Sequence, residues 1–340
     1  MIIMNKKIIF SLLIIFSFFS SLLAQNKTGT TIGQFLKIDP SARASAMANA
    51  STSLYGEASS LYYNSASLGR LTNVDIQFTY NQWLADITYD YAVIAVPITN
   101  LGTFALQLTS LNSGEIDVRT VEYPKGTGER YSVTNFALGL GFGLMLTDRV
   151  SVGLQVSYIQ ETIWHSSLST FGLNFGVQYQ VEENGLTVGA SILNFGPRAG
   201  YDGRDLYINY DFNSDKYGDN DLLPAELRTD AYSLPTSFRV GVSYPLIINE
   251  DNKVTFAMDA FHPNDNTESI SIGSEWQFLN SFSVRGGYRD LFIPDSEAGL
   301  VLGAGVRVNV LESYNLRFDY AWADYGRLEQ AHRFTISLGF

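Results

Sequence analysis

Residues Asn135–Leu144 read NFALGLGFGL: Phe136, Leu138, Leu140, Phe142 and Leu144 are apolar, and Asn135, Ala137, Gly139, Gly141 and Gly143 between them are small or polar. The same reading recurs in Val150–Ile159 (VSVGLQVSYI), Phe171–Gln180 (FGLNFGVQYQ), Tyr314–Ala323 (YNLRFDYAWA) and Arg333–Phe340 (RFTISLGF), with Ile159 the single large apolar residue on the second face. Successive side chains of a strand point to opposite faces, so alternation sustained this long specifies β-structure with one apolar and one polar surface. A soluble sandwich alternates too. These strands, however, supply roughly nine to eleven usable residues, the length of a tilted crossing of the hydrocarbon core, against about five or six in soluble sheets.

Working outward, the pattern predicts fourteen strands, at 74–83, 87–97, 102–111, 131–146, 149–163, 167–181, 185–195, 235–248, 252–262, 268–279, 281–290, 298–310, 313–324 and 330–340. Connections after even-numbered strands are short, as at Thr147–Arg149 and Glu182–Gly185; those after odd-numbered strands include the longest, Asn112 to Arg130 and Gly196 to Leu234. An even strand count with short turns at one end and longer loops at the other is the outer-membrane barrel pattern. The expected fold is all-β: a fourteen-stranded antiparallel transmembrane β-barrel over 74–340, with a short N-terminal helical plug. The chain closes on Phe340 at the end of an alternating strand, resembling the C-terminal signal read by the barrel-assembly machinery.

Composition agrees. The 340 residues are 46% hydrophobic and only 16% charged, against a usual charged share of about 25%, which excludes long disorder and coiled coil. A net charge of −12 disfavours nucleic acid as a partner, and the absence of cysteine removes disulfides and thiolate metal sites. Lys6 and Lys7 precede the apolar run Ile8–Leu23 and then Ala24, the form of a secretory signal over 1–24 that delivers the chain to the outer membrane of a Gram-negative cell, with lipid as its surroundings.

Residues 25–73 precede the first strand and are rich in small side chains. Asp39 is suited to cap a short helix with Pro40 at its first position, and Ala42, Ala44, Ala46, Ala48 and Ala50 permit close packing, so this segment is expected to be a plug in the lumen rather than a periplasmic extension. Gly139, Gly141 and Gly143 lie in phase on one strand and leave room for it. Seven charges share lumen phase on the eighth to thirteenth strands: Arg239, Asp259, Glu275, Arg285, Arg307, Arg317 and Asp319. They are expected to form an ion-pair lattice that supports the plug, with a polar solute path as the other reading. The loop Gly196–Leu234 presents Tyr201, Tyr207, Tyr210, Asp211, Asp215, Tyr217, Asp219 and Asp221 as a candidate outer docking surface, since aromatic residues concentrate at interfaces.

Catalysis is not expected. His165, His262 and His332 fall on different strand pairs with no nucleophile motif beside them. No metal or cofactor is expected either: the acidic loop places Lys216 and Leu222 where an EF-hand needs Gly and Glu.

The stretch FLKIDPSARASAMANASTSLYGEASSLYYNSASL (35–68) resembles the N-terminal signature of the PorV/PorQ proteins, and the resemblance continues through LTDRVSVG, SILNFGP, LPTSFRVGVSY and LRFDYAWADYGRL over nearly all of the chain after the leader. Ser45–Ala50 lacks the family's glycines and Asn64–Leu68 its proline. The resemblance implies a barrel related to the FadL-type transporters and an accessory role in type IX protein secretion, with secretion components and cargo sorting domains as partners. A FadL-like transporter of hydrophobic solutes is the alternative it implies.

The strand count fixes a topology that can be checked. A protease-cleavable tag within Gly196–Leu234 should be cut in intact cells, whereas one at Glu183–Asn184 should be protected until the envelope is opened; the reverse pattern would overturn the assignment.

Overall fold

A computed structural model describes residues 28–211, 215, 222–294, 296–310 and 313–340; the secretory signal expected over 1–24 lies outside the described residues. The wall has fourteen strands: β1 (Asp75–Gln82), β2 (Thr88–Ile98), β3 (Gly102–Asn112), β4 (Val133–Met145), β5 (Val150–Ile163), β6 (Ser166–Gln180), β7 (Thr187–Phe195), β8 (Ser237–Asn249), β9 (Asn252–Pro263), β10 (Ser269–Phe278), β11 (Phe282–Leu291), β12 (Leu300–Val310), β13 (Tyr314–Asp324) and β14 (Gln330–Gly339). Each is antiparallel to the next, and β14 returns to β1 in register from Asp75 opposite Gly339 to Gln82 opposite His332. The ring is therefore closed. No open edge remains, which is the condition for a sheet surrounded by hydrocarbon.

The expected boundaries hold to within a few residues. Long connections leave β3 and β7, as read, but β5 and β6 are joined by Trp164 and His165 alone, with Trp164 at φ 52°. Length alternation is thus carried by particular loops and not by every hairpin. The phase is as read: Leu140 is 65% exposed on the outer face, whereas Gln155 and Ile159 are buried inside.

Most of 32–71 lies inside the ring and is buried. It forms a short helix, α1 (Ala42–Ala46), and single 3₁₀ turns at Gln34–Lys37, Ala58–Tyr62 and Ser65–Arg70. The helix starts two residues later than the Asp39-Pro40 reading: Ser41 is its N-cap, its side chain accepting from the Ala44 N–H. The Asp39 carboxylate turns to the wall instead, where its Oδ2 meets Arg289 at 3.1 Å. At the next turn Asn64 accepts from the Ala66 N–H at 3.0 Å and donates to the Thr52 carbonyl at 2.8 Å, so it fixes the segment without a following proline.

Close approach explains the glycines. A Cβ on Gly141 would meet Leu61 at 2.7 Å, and one on Gly143 would meet Leu68 at 2.7 Å, so both make room for the inner segment; Gly139 instead makes room for Gln155 of the wall. At Gly153 the added carbon would lie 2.2 Å from the Ser65 backbone, which has no rotamer with which to yield.

Two substitutions separate wall from filling. Leu140→Arg places a charge in lipid at a cost of about 2–4 kcal/mol near the midplane and should reduce the heat-modifiable barrel recovered from membranes. Gly153→Ala should leave the wall assembled but speed amide exchange over Ser59–Gly69, at a cost of about 1–3 kcal/mol from overpacking.

Candidate functional site

The chemistry of the lumen is concentrated where the inner segment meets the lumen faces of β8–β14. Arg43 of α1 reaches Glu275 of β10 through Nη2 at 2.6 Å and Nε at 3.0 Å, and its Nη1 lies 3.2 Å from Glu57. Glu275 also takes Arg285 Nε at 2.7 Å, and Arg285 continues to Asp319 at 2.6 Å. Arg317 completes the network, pairing with Glu57 at 2.9 Å and with Asp75 of β1. Four of the seven charges singled out in the sequence, Glu275, Arg285, Arg317 and Asp319, thus belong to one connected set, with Arg43, Glu57 and Asp75 added.

The other three separate. Asp259 accepts from the backbone N–H groups of Ser51 and Thr52 at 3.0 and 2.9 Å and from the Thr52 hydroxyl at 2.6 Å, so it holds the inner segment by its main chain. Arg239 has no carboxylate partner among the described residues; its guanidinium lies over the rings of Tyr63 and Phe261, at 5.6 and 4.7 Å, with Nε and Nη1 making no hydrogen bond. Arg307 stands at the short-turn end, directly across the ladder from Arg317.

A second cluster was not singled out from the sequence. Asp39 takes Arg289 at 3.1 Å, and the fully buried Arg333 donates Nε to the Asp39 carbonyl at 3.1 Å while stacking on Trp83 at 5.2 Å. Arg289 and Arg333 have lumen phase, so alternation could have found them. Their carboxylate lies on the inner segment, where no period applies. Nearer the long-loop mouth, Asp265 accepts from Thr31, Gln34 and Lys37 at 2.8, 2.9 and 3.0 Å. Burial alone would raise the Asp265 carboxyl, but these hydrogen bonds and the Lys37 charge hold it below its ordinary range.

The candidate docking loop divides. Tyr201 turns inward and donates to Glu161 at 3.0 Å, so it closes the mouth instead of presenting a surface. Tyr207 and Tyr210 are exposed on a two-stranded ribbon formed by Tyr207–Tyr210 and Leu223–Glu226. Asp211 is partly buried and Asp215 exposed; Tyr217, Asp219 and Asp221 lie outside the described residues. His165, His262 and His332 have separate partners in Asp205, Glu268 and Tyr320.

Between the inner segment and the wall, toward the long-loop end, lies a cavity of about 140 Å³. Leu36, Leu193, Phe261 and Ile293 give it apolar patches; the rest of its lining is mostly polar, and includes Arg239 and Arg289 with Asp39, Asp259 and Asp290. Asn194 also marks an irregularity in the wall. Its φ is 57°, and the β6–β7 register shifts between Leu173 and Phe175. Side chains replace the ladder there: the Asn194 N–H donates to Asn174 at 2.6 Å, and its carbonyl accepts from the Thr236 hydroxyl at 2.9 Å.

No family profile and no curated protein matches the chain. Among solved structures, the Pseudomonas putida toluene transporter TodX aligns over 89% of this chain and 97% of its own at 12% identity and a TM-score of 0.55. The CymD monoaromatic hydrocarbon channel aligns over 87% and 95% at 11% identity and 0.53, and the Ralstonia pickettii toluene transporter TbuX over 87% and 96% at 10% and 0.50. The chain has the fold of these channels.

Removing one member of the buried network exposes what it holds. Glu275→Gln leaves Arg43 and Arg285 competing for neutral oxygens and should cost about 3–5 kcal/mol, read as a lower unfolding temperature of the purified barrel. An unchanged temperature would mean that the network is not closed in the purified barrel.

Proposed function

We propose that the protein is a channel for small amphipathic solutes, which rest in the cavity beside Arg239 on their way through the outer membrane. The cavity carries this reading. Its volume of about 140 Å³ matches an engineered apolar cavity of about 150 Å³ that holds benzene, so one aromatic ring is the natural size of the occupant. The apolar patches and the Phe261 ring suit an aromatic ring, and Arg239, which has no carboxylate within ion-pairing distance among the described residues, suits a polar substituent. The likeness of the fold to hydrocarbon channels supports transport as the activity.

The test is uptake of radiolabelled toluene and benzoate by cells carrying the barrel. Both should enter faster than in barrel-free cells, and Phe261→Trp, which fills the cavity, should abolish the gain with the same amount of barrel in the membrane. Uptake equal to that of barrel-free cells for both compounds would refute the channel.

One observation favours a second reading, in which the protein belongs to the PorV/PorQ group and assists type IX secretion. One face of the ribbon exposes Ile208, Tyr210 and Leu223 together, with Tyr207 exposed on the other, an apolar surface that a secretion partner or cargo sorting domain would cover. Deleting Asp211–Asp221 should then lower secretion of sorting-domain proteins and spare solute uptake; unaffected secretion would remove this reading.

A further inference from the structure

The lipid face of the wall carries a groove of about 660 Å³. Its lining runs from Leu186, at the head of β7, across β8–β11 to Leu300 of β12, and about five strand spacings of about 4.8 Å give it a length of about 24 Å. Val242, Phe256, Met258 and Ile272 form its apolar sides. Two small residues lower its floor, Ser274 of β10 and Gly286 of β11, which stand directly opposite each other in the ladder. A glycine inside a strand weakens the sheet and marks a bulge, a bend or a place where another molecule comes close. Gly286 is regularly paired with Ser274 on one side and Leu302 on the other, and its φ is negative. A Cβ on it would meet Leu302 at 3.5 Å, an ordinary contact, unlike Gly141 and Gly153, which the inner segment requires. Nothing within the chain calls for glycine at this position, so the space above it serves something outside the chain. At its Leu186 end the groove reaches two short turns, one with Glu182 and Glu183 and the other with Glu250 and Asp251, all exposed. Neither turn carries a basic residue, and Lys253, which follows the second, has lumen phase.

We propose that the groove holds one acyl chain of a phospholipid with an amine headgroup, the ammonium lying beside the carboxylates of the short turns. Its lining belongs to the outward apolar band, where the surrounding matter is hydrocarbon chain. Inside a membrane the gain on binding is contact and not escape from water, so a recess that touches a chain from several sides retains it where a flat wall does not. Charge complementarity selects the headgroup: four exposed carboxylates at the groove's end attract an ammonium and repel an anionic lipid. A second copy of the protein fits less well, because a two-fold contact sets this recess against itself. No strand can be added either, since each strand beneath the groove is paired on both sides.

The experiment uses the purified full-length barrel, stripped of lipid in a non-ionic detergent at low ionic strength and titrated with phosphatidylethanolamine or phosphatidylglycerol of the same chains, with bound lipid counted by native mass spectrometry. The wild type should retain one phosphatidylethanolamine and bind it severalfold more tightly than phosphatidylglycerol, a preference that salt weakens. Gly286→Leu fills the groove with an apolar side chain on the lipid face, and it should bind phosphatidylethanolamine about tenfold more weakly, as the loss of about ten atom contacts implies. Ala92→Leu, on the lipid face of β2 opposite Phe78, should bind as wild type. Replacing Glu182 and Glu183 together by Gln should narrow the difference between the two lipids. Ser274→Leu provides the same reading if Gly286→Leu fails to assemble. Equal binding by wild type and the groove-filling variant, a preference for phosphatidylglycerol, or a dimer that Gly286→Leu abolishes would each overturn the proposal, and none of them bears on the channel reading.

Discussion

Hydrocarbon offers the backbone no hydrogen-bond partner, and the rest of this structure follows from that constraint. Each N–H and C=O in the wall must be paired within the wall, so the strands close from β14 onto β1. A barrel of this size is too wide for its own side chains to fill. Residues 32–71 supply the missing volume, and glycine is placed where they come nearest: Gly141, Gly143 and Gly153 each face an atom that a methyl group would strike. Where the ladder is broken at Asn194, the same constraint is met by side chains, with Asn174 and Thr236 standing in for a neighbouring strand.

A segment threaded through a polar lumen has little apolar surface with which to choose its register. Charge makes the choice. Desolvating an ion pair costs about as much as its attraction returns, so the buried network is weak evidence of stability and better read as a set of positions that a displaced segment would leave unpaired. The pairs occur at successive heights: Asp265 with Lys37 near the long loops, Asp39 with Arg289, and Glu275 and Glu57 with Arg43. Sliding the segment past one of these strands all of them.

The wall was legible because its signal is local. Period two depends only on neighbouring residues, and it gave the strand number, the phase and four members of the ion-pair network. Their partners on the inner segment were not legible, because Asp39, Arg43 and Glu57 acquire their roles through strands that lie more than two hundred residues away in sequence. Asp39 illustrates the failure: preceding a proline it reads as a helix cap, yet tertiary pairing with Arg289 overrides the local preference and leaves capping to Ser41. Tyr201 fails in the same way, since a loop tyrosine reads as surface until Glu161 is brought beneath it.

Arg239 and Arg307, neither of them ion-paired among the described residues, lie on opposite sides of the filled region. The network between them divides the lumen, and a solute moving straight from the cavity beside Arg239 to the short-turn end would have to part Arg43 from Glu275, leaving buried charges unpaired at a cost of several kcal/mol. Sideways passage is cheaper. At Asn194 the wall is held by neutral side-chain hydrogen bonds, each with a net contribution of about 1 kcal/mol, and Leu193 and Asn194 already line the outer cavity. Under the channel proposal, a solute in that cavity would leave through the break between β6 and β7 into lipid, with the inner segment in place.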